Sequence, residues 1–385
     1  MQDLTEEAAK KTQQEQGVKT TSDQIAMWVA DPAFPTDERI KNAFDYAVNR
    51  GCTHYFPARG FDEFALHKAV SKFYENAYGY SVDPQSEISP THGAQEALSF
   101  SLHVRVRPGD EVIMPEPTYA AMIEKLPIFG AKMVFVPLIE DENWRLDLDA
   151  IKASINERTR MIFICNPNNP TGVVYSKKEI EELAGILREN RHVSIILDEC
   201  YSRILYEGTK FHSLLGDESI RDQLFLVNSF SKSYAMTGWR LGYVIASKEN
   251  IDKIKGLAFE YNGGVAYAVQ YAGAVALEQC TPFVEGMVSE LDKRRRVMLD
   301  SLSKIKNIRY DTPMGGFEIF PDFSSYTKNS VELASKLEQE ASVKTIPGAK
   351  YGPSGEGHLR LVFCSEPSER IAEGVSRIKE YLERA

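Results

Sequence analysis

MIFIC (161–165), VSIIL (193–197) and LFLVN (224–228) are the runs that decide the fold of this chain. Each is short, apolar and rich in β-branched or aromatic residues, and each stops abruptly at polar residues. EVIM (111–114) and KMVFVPL (132–138) have the same texture, and helical periodicity fills 93–105, 118–128 and 177–189 between the runs. Apolar runs of four to seven residues separated by helices predict buried strands of a mainly parallel sheet, an α/β architecture. Upstream, 37–49 predicts an amphipathic helix with Ile40, Ala43, Phe44 and Ala47 on one face. A second is predicted over 61–78, carrying Phe64, Leu66, Val70, Phe73 and Tyr74. The first 24 residues are polar and read as an arm or a surface helix. Beyond Arg240 the pattern is mostly helical, with long helices predicted over 264–279 and 282–304. A smaller α+β region follows: a strand near 317–320, a helix over 329–340, a strand over 358–363 and a last helix over 367–383. The texture breaks at 280–290, where a domain boundary is expected.

With 385 residues, 43% hydrophobic and 26% charged, the composition is that of a globular protein with ample core material. Lys and Arg number 45 against 55 Asp and Glu, a net charge of −10, and the one basic cluster, Lys293-Arg294-Arg295-Arg296, reads as a solvated helix face. A nucleic-acid partner is therefore not expected. Cysteines at 52, 165, 200, 280 and 364 form no C-x-x-C pair, and the seven histidines form no H-x-x-x-H or H-E-x-x-H pair. No disulfide framework and no metal site is expected. A nicotinamide enzyme would carry G-x-G-x-x-G after its first strand, and this chain does not. The start MQDLTEEAAKKTQQEQ resembles neither a signal nor a transit peptide, and no run of 18 apolar residues is present. The expectation is a cytoplasmic protein with no membrane partner.

In open α/β sheets, ligands bind beyond the carboxyl ends of the strands, so the residues that end each run matter most. MIFIC leads into Asn166-Pro167-Asn168-Asn169-Pro170-Thr171-Gly172, a rigid turn whose asparagines are also ligand donors. VSIIL leads into Asp198-Glu199-Cys200-Tyr201, a carboxylate that is either a helix cap or the partner of a cation. LFLVN leads into Ser229-Phe230-Ser231-Lys232, with Arg240 eight residues on. Two hydroxyls, a lysine and an arginine suit an anionic phosphate beside one reactive amine. Gly93, after Thr91-His92, opens a helix whose first N–H groups would face an anion.

Together these segments resemble the class I aminotransferases of the pyridoxal-phosphate fold-type I superfamily. SFSKSYAMTGWRLGY (229–243) is similar to that family's lysine motif, and NPNNPTG, DECY and the C-terminal LRLVF match its other motifs in order. The resemblance runs from about Ile25 to the C-terminus. It implies a sheet of seven strands sandwiched by helices in a large domain (46–283), and a small α+β domain combining 1–45 with 284–385. It implies pyridoxal 5'-phosphate as cofactor, L-amino acids and 2-oxo acids as substrates in a ping-pong cycle, and a homodimer with shared active sites. Position by position, Lys232 resembles the lysine that joins the cofactor covalently and then shuttles a proton, and Asp198 the partner of its ring nitrogen. Asn169 and Tyr201 resemble the pair on its 3-oxygen, and Tyr119 the aromatic residue stacked on its ring. Arg240, Ser229, Ser231 and the amides after Gly93, at Ala94 and Gln95, resemble the phosphate cup. Tyr55 resembles a tyrosine that reaches the phosphate of the neighbouring subunit. Arg360 resembles the arginine that binds the substrate carboxylate, with Trp28, Ala30 and Asn169 lining the substrate side.

One departure stands near the N-terminus. In Met27-Trp28-Val29-Ala30-Asp31-Pro32, Ala30 replaces a glycine common in the family. Trp28-Val29-Ala30-Asp31 is also similar to the related carbon–sulfur β-lyases, which form the alternative reading. For the donor, Gln95 stands where some aspartate-specific relatives carry a lysine, and no arginine lies between Gly256 and Lys293. Arg59 is the nearest candidate for a distal carboxylate, whereas Trp28, Phe34, Tyr119 and Tyr261 suit neutral or aromatic side chains. Aspartate, aromatic and neutral donors all remain open at this point.

Overall fold

The chain is described here from a computed structural model covering residues 23–384; the arm or helix expected of the first residues lies, up to residue 22, outside it. In chain order the strands begin with β1 (Ile25–Ala26), β2 (Ile88–Thr91), β3 (Glu111–Glu116), β4 (Lys132–Pro137), β5 (Thr159–Cys165), β6 (Ser194–Asp198), β7 (Leu224–Ser229) and β8 (Gly242–Ala246). The last seven of these form one sheet in the order β2-β8-β7-β6-β5-β3-β4. Pairing is parallel from β7 through to β4, and β8 alone runs antiparallel to its neighbours β7 and β2.

The sheet is covered on both faces. Ile162, Ile164, Ile195, Leu197, Leu224 and Leu226 join one core, while Phe163, Cys165, Ile196, Phe225 and Val227 join another. Successive strand residues point to opposite faces, so a continuous apolar run is what a doubly covered strand demands. Register carries this order to the carboxyl edge, where Cys165 pairs with Asp198 and Asp198 with Val227.

Several predicted helices form at their predicted bounds. Lys177–Glu189 starts behind a reciprocal cap in which Glu179 N–H donates to Ser176 Oγ (3.3 Å) and Ser176 N–H to Glu179 Oε2 (2.8 Å). Glu38–Asn49 is capped by Asp37, which accepts from Arg39 N–H at 2.8 Å, and buries Ile40 and Ala43 in the same core as Ala272 and Ala276 of Tyr267–Gln279. It therefore crosses position 45 without a break. The stretch 118–128 yields only Ala120–Lys125 before a 3₁₀ turn, because Pro127 has no N–H to continue an α-helix. The helix expected from 61 starts at Ala65, since Asp62 first takes the Phe64 N–H in a turn. Elements not anticipated include β8, inside a region read as helical, and the helices Leu148–Ser154 and Lys248–Asn262.

Four further strands, β9 (Glu318–Ile319), β10 (Val343–Lys344), β11 (Ile346–Pro347) and β12 (Leu359–Val362), lie after the long helix Thr281–Leu302. β11, β12 and β9 form a three-stranded antiparallel sheet, and β10 pairs in parallel with β1. Ile25 and Met27 thereby enter a third core with Leu291, Phe317, Phe363, Ile371 and Ile378, so the N-terminal strand packs with the C-terminal elements.

Candidate active site

Beyond the carboxyl ends of β5, β6 and β7, a cavity of about 310 Å³ is walled by residues from nearly every segment singled out in the sequence. Ala94, Gln95, Tyr119, Asn169, Asp198, Tyr201, Ser229, Ser231, Lys232, Arg240, Arg360 and Ala30 all line it. Cys165, Cys200 and Thr237 line it too.

One end is built for an anion. The helix Gly93–Arg105 has no side-chain cap at its N-terminus, leaving the first N–H groups beside Ala94 and Gln95 for a ligand. Glycine is required at its first position. Gly93 sits at φ +72°, and a Cβ there would come within 2.6 Å of Arg240 Nη2. Gly242 at the head of β8 is equally constrained, since a Cβ would lie 2.7 Å from the Gly93 carbonyl carbon. Arg240 adopts φ +54°, and its Nη1 donates to the Thr237 carbonyl at 2.6 Å, which aims the guanidinium at the helix end. Ser229 and Ser231 are buried beside it.

The centre of the cavity joins a carboxylate, an amine and an aromatic ring. Asp198 is buried and accepts from Cys200 N–H at 3.1 Å. Burial pushes its carboxyl up; hydrogen bonds from Cys200 and the charge of Lys232 oppose that rise without cancelling it. The Lys232 ammonium donates to the Ala30 carbonyl and stands 5.7 Å from the centre of the Phe317 ring. The Tyr119 hydroxyl accepts from Gln95 Nε2 at 2.7 Å. Burial, and next the charge of Asp198, pushes its phenol well above the usual range.

Two buried polar atoms of the cavity wall are unpaired within the chain. Asn169 Oδ1 and Arg360 Nε are both buried without a hydrogen-bond partner, a state that costs free energy unless something fills it. Asn169 is held by a turn whose other members are already committed. Asn168 Nδ2 donates to the Pro117 carbonyl and to Thr171 Oγ1, each at 3.0 Å, and Asn166 Oδ1 accepts from Tyr175 N–H at 3.1 Å. Arg360, on β12, donates through Nη2 to the Trp28 carbonyl and lies 5.6 Å from the centre of the Tyr351 ring.

The sequence profile of the family described as "Aminotransferase class I and II" matches residues 22–378. The chain belongs to this family. A probable aspartate/prephenate aminotransferase of Aquifex aeolicus is 36% identical over 367 residues, covering 94% of this chain and 91% of that one. An aspartate aminotransferase of Pyrococcus horikoshii is 35% identical over 363 residues, with the same coverage. The solved structure of an aromatic aminotransferase from Pyrococcus horikoshii OT3 superposes with a TM-score of 0.89 at 30% identity, covering 97% of this chain and 98% of that one. This chain is an aminotransferase with the α/β fold of those relatives.

Two of the expected residues lie elsewhere in the aminotransferase. Tyr55 is 81% exposed and lies over Gly263, outside the cavity of its own chain. The Trp28 ring faces the Lys344 ammonium at 5.1 Å; its carbonyl, not its indole, serves the site by holding Arg360. The aromatic lining is also thinner than expected. Phe34 stacks under Arg294 at 4.8 Å and Tyr261 is exposed, so of the four aromatic neighbours Tyr119 alone reaches the cavity. Cys165 and Cys200 went unnoticed, although each sits at the end of a strand already singled out. Glu318 was missed outright. It is fully buried and accepts the Tyr201 hydroxyl at 2.6 Å, and the one signal was a charge between Phe317 and Ile319 in an apolar run.

Proposed function

We propose that this aminotransferase holds pyridoxal 5'-phosphate in the 310 Å³ cavity and moves an amino group between an L-amino acid and a 2-oxo acid by a ping-pong cycle. The observation that carries the reading is the convergence of three unlike features on one cavity. These are an uncapped helix end with Arg240, a buried carboxylate at Asp198, and an amine at Lys232. They match a phosphate, a ring nitrogen and an aldehyde, and the unpaired Asn169 Oδ1 matches the ring hydroxyl. When bound, the cofactor supplies an electron-withdrawing ring that stabilises negative charge at the substrate Cα.

The protein's part follows from its own groups. The amides after Gly93, with Arg240, Ser229 and Ser231, neutralise the phosphate in a fixed cup. Asp198 would keep a proton on the ring nitrogen, and Tyr119 would lie against the ring. Arg360 grips the substrate carboxylate with a planar fork, which fixes which Cα bond stands perpendicular to the ring. Lys232 Nζ would take the proton from the substrate Cα and hold it for return on the far side of the transferred nitrogen. Lys232, Arg240 and Arg360 are the cations lining the cavity among the described residues. All three are used, so a neutral side chain needs nothing further from the site, whereas the distal carboxylate of aspartate needs a cation from outside this lining, such as the partner subunit's share of the site.

The shared site belongs to a cytoplasmic homodimer in this reading. Five free, buried cysteines suit a reducing compartment, and no helix among the described residues is long and apolar enough to cross a membrane. In this reading the small domain joins the strand at Ile25–Ala26 to the elements after the long helix Thr281–Leu302, while the helix Glu38–Asn49, which shares the core of the seven-stranded sheet, goes with the large domain. Nothing in the site favours β-elimination. A half-reaction screen tests the assignment: the loaded enzyme is mixed with each of twenty amino acids and followed by its visible absorption. Neutral or aromatic donors should convert it fastest. Fastest conversion by aspartate would require a further cation, and absence of any conversion would reject the function.

A further inference from the structure

Glu318 opens β9 between Phe317 and Ile319, and none of its surface is exposed. No lysine, arginine or histidine of the described residues forms an ion pair with it, although an unpaired carboxylate in an apolar core is costly. It is compensated instead by two aimed donors: the Tyr201 hydroxyl to Oε1 at 2.6 Å and the Phe317 N–H to Oε2 at 2.9 Å. Gly316, at φ +72°, leaves room for it, because a Cβ there would come within 2.8 Å of Oε2. Gly316 is itself held, its carbonyl accepting from Tyr206 at 2.7 Å. Register explains the rest. Glu318 pairs with Val362 across the antiparallel β9–β12 ladder, so it shares a sheet face with Arg360, two residues before Val362. Arg360 is buried and lacks a partner at Nε, yet Glu318 makes no direct ion pair with it.

We infer that Glu318 is a positioning residue: it holds the single phenolic proton of Tyr201, and its charge faces Arg360 until a substrate carboxylate arrives. A phenol has one proton to give. While Glu318 takes it, Tyr201 cannot donate to the cofactor's ring oxygen, and Asn169 is left as that oxygen's partner. Burial, and then Glu318 itself, pushes the Tyr201 phenol far up, which keeps the proton on the bridge. For Arg360, burial works against the charge, but Tyr351, Glu318 and Tyr201 outweigh it and raise its pKa.

This inference rests on the cofactor reading above, and the test separates the two. Glu318→Gln keeps shape and acceptor while removing charge. In the loaded enzyme, the midpoint of the pH-dependent visible absorption should fall by about one pH unit, about tenfold in proton affinity. The KM for the amino donor should fall several-fold, because Arg360 loses its competing anion. In a Tyr201→Phe background the same substitution should move the midpoint less than half as far. An unmoved midpoint, a KM that rises, or equal shifts in both backgrounds would overturn the role of Glu318. A wild-type chain that takes up no pyridoxal 5'-phosphate would overturn the cofactor reading itself, and with it this role.

Discussion

At the scale of single residues, three side chains carry separable expectations. Lys232→Ala should lower the rate of the amino-acid half-reaction by at least ~10³-fold, as expected for loss of both a covalent amine and a general base. Borohydride treatment followed by peptide mapping checks this independently: wild type should carry the label at position 232 and the variant should not. Arg360→Lys exchanges a planar fork for a point charge, so KM for the donor should rise by ~10–100-fold, more than kcat falls. Glu199 makes a different, pH-dependent prediction. It is fully buried, neither carboxylate oxygen is within good hydrogen-bond geometry of a donor, and burial, opposed in part by the nearby Ser213 and Tyr74 hydroxyls and reinforced by Asp198, pushes it up to about 8. The folded chain keeps this proton above the pH where the unfolded chain loses it, so stability falls as pH rises from about 4.5 toward 8. The loss amounts to a few kcal/mol, on the order of 1.4 per pH unit. Thermal melting of the apoenzyme between pH 6 and 9 should show this decline in wild type and a flatter profile for Glu199→Gln. The site residues were legible because each ends an apolar run, where one chain segment brings its own chemistry to the sheet edge. Glu318 was not, because its meaning depends on a ladder and a core that join positions 201, 318 and 360, far apart in sequence.

Among the elements, the phosphate cup shows how tightly backbone and side chain are matched. Gly93→Ala would place a methyl within 2.6 Å of Arg240 Nη2 at a φ of +72°. The guanidinium must move or the helix start must distort, at a cost of about 1–3 kcal/mol. We expect the Kd for pyridoxal 5'-phosphate, measured by fluorescence titration of the apoenzyme, to rise at least ~10-fold. The change in melting temperature of the apoenzyme should stay small beside it, since the clash is confined to the cup. The same elements explain what could be read in advance. β5, β6 and β7 were plain from sequence, since strands covered on both faces leave uninterrupted apolar runs. β8 was hidden because its first two residues, Gly242 and Tyr243, close the lysine motif, and because an antiparallel strand within a parallel sheet breaks the alternation of strand and helix that guided the reading. The join of the N-terminal segment to the C-terminal region was expected from the family resemblance alone. Pairing of β1 with β10 links residues 25–26 to 343–344, and no local periodicity reports a contact over that separation.

For the whole molecule, one face of the chain looks unfinished. Tyr55 and Phe56 are 81% and 75% exposed, and Phe259 and Tyr261, on the helix ending beside Gly263, are 72% and 66% exposed. Tyr55 lies over Gly263, and next to that glycine Asn262 donates to Glu96. Glu96 in turn accepts the His92 N–H at 2.8 Å at the head of the cup helix. The exposed aromatic face is thus joined to the phosphate end of the cavity through two hydrogen bonds. Tyr55 and Phe56, exposed side by side next to Gly263, suit an interface, and we expect a two-fold axis there to carry each Tyr55 toward the other chain's cup. The particle should sediment at twice the 43.4 kDa chain mass. Sharing of the site has a sharper consequence. In Lys232→Ala the lysine is lost and Tyr55 is intact, whereas in Tyr55→Ala the reverse holds. In a hybrid dimer, one site has lost both residues and the other has the wild-type pair. Unfolding and refolding an equal mixture makes half of all dimers hybrid, each with one intact site. The mixture should therefore regain about a quarter of the wild-type rate, well above either parent alone. If each chain instead completed its own cavity, mixing would give only the mean of the two parents, and Tyr55 would have no role across the interface.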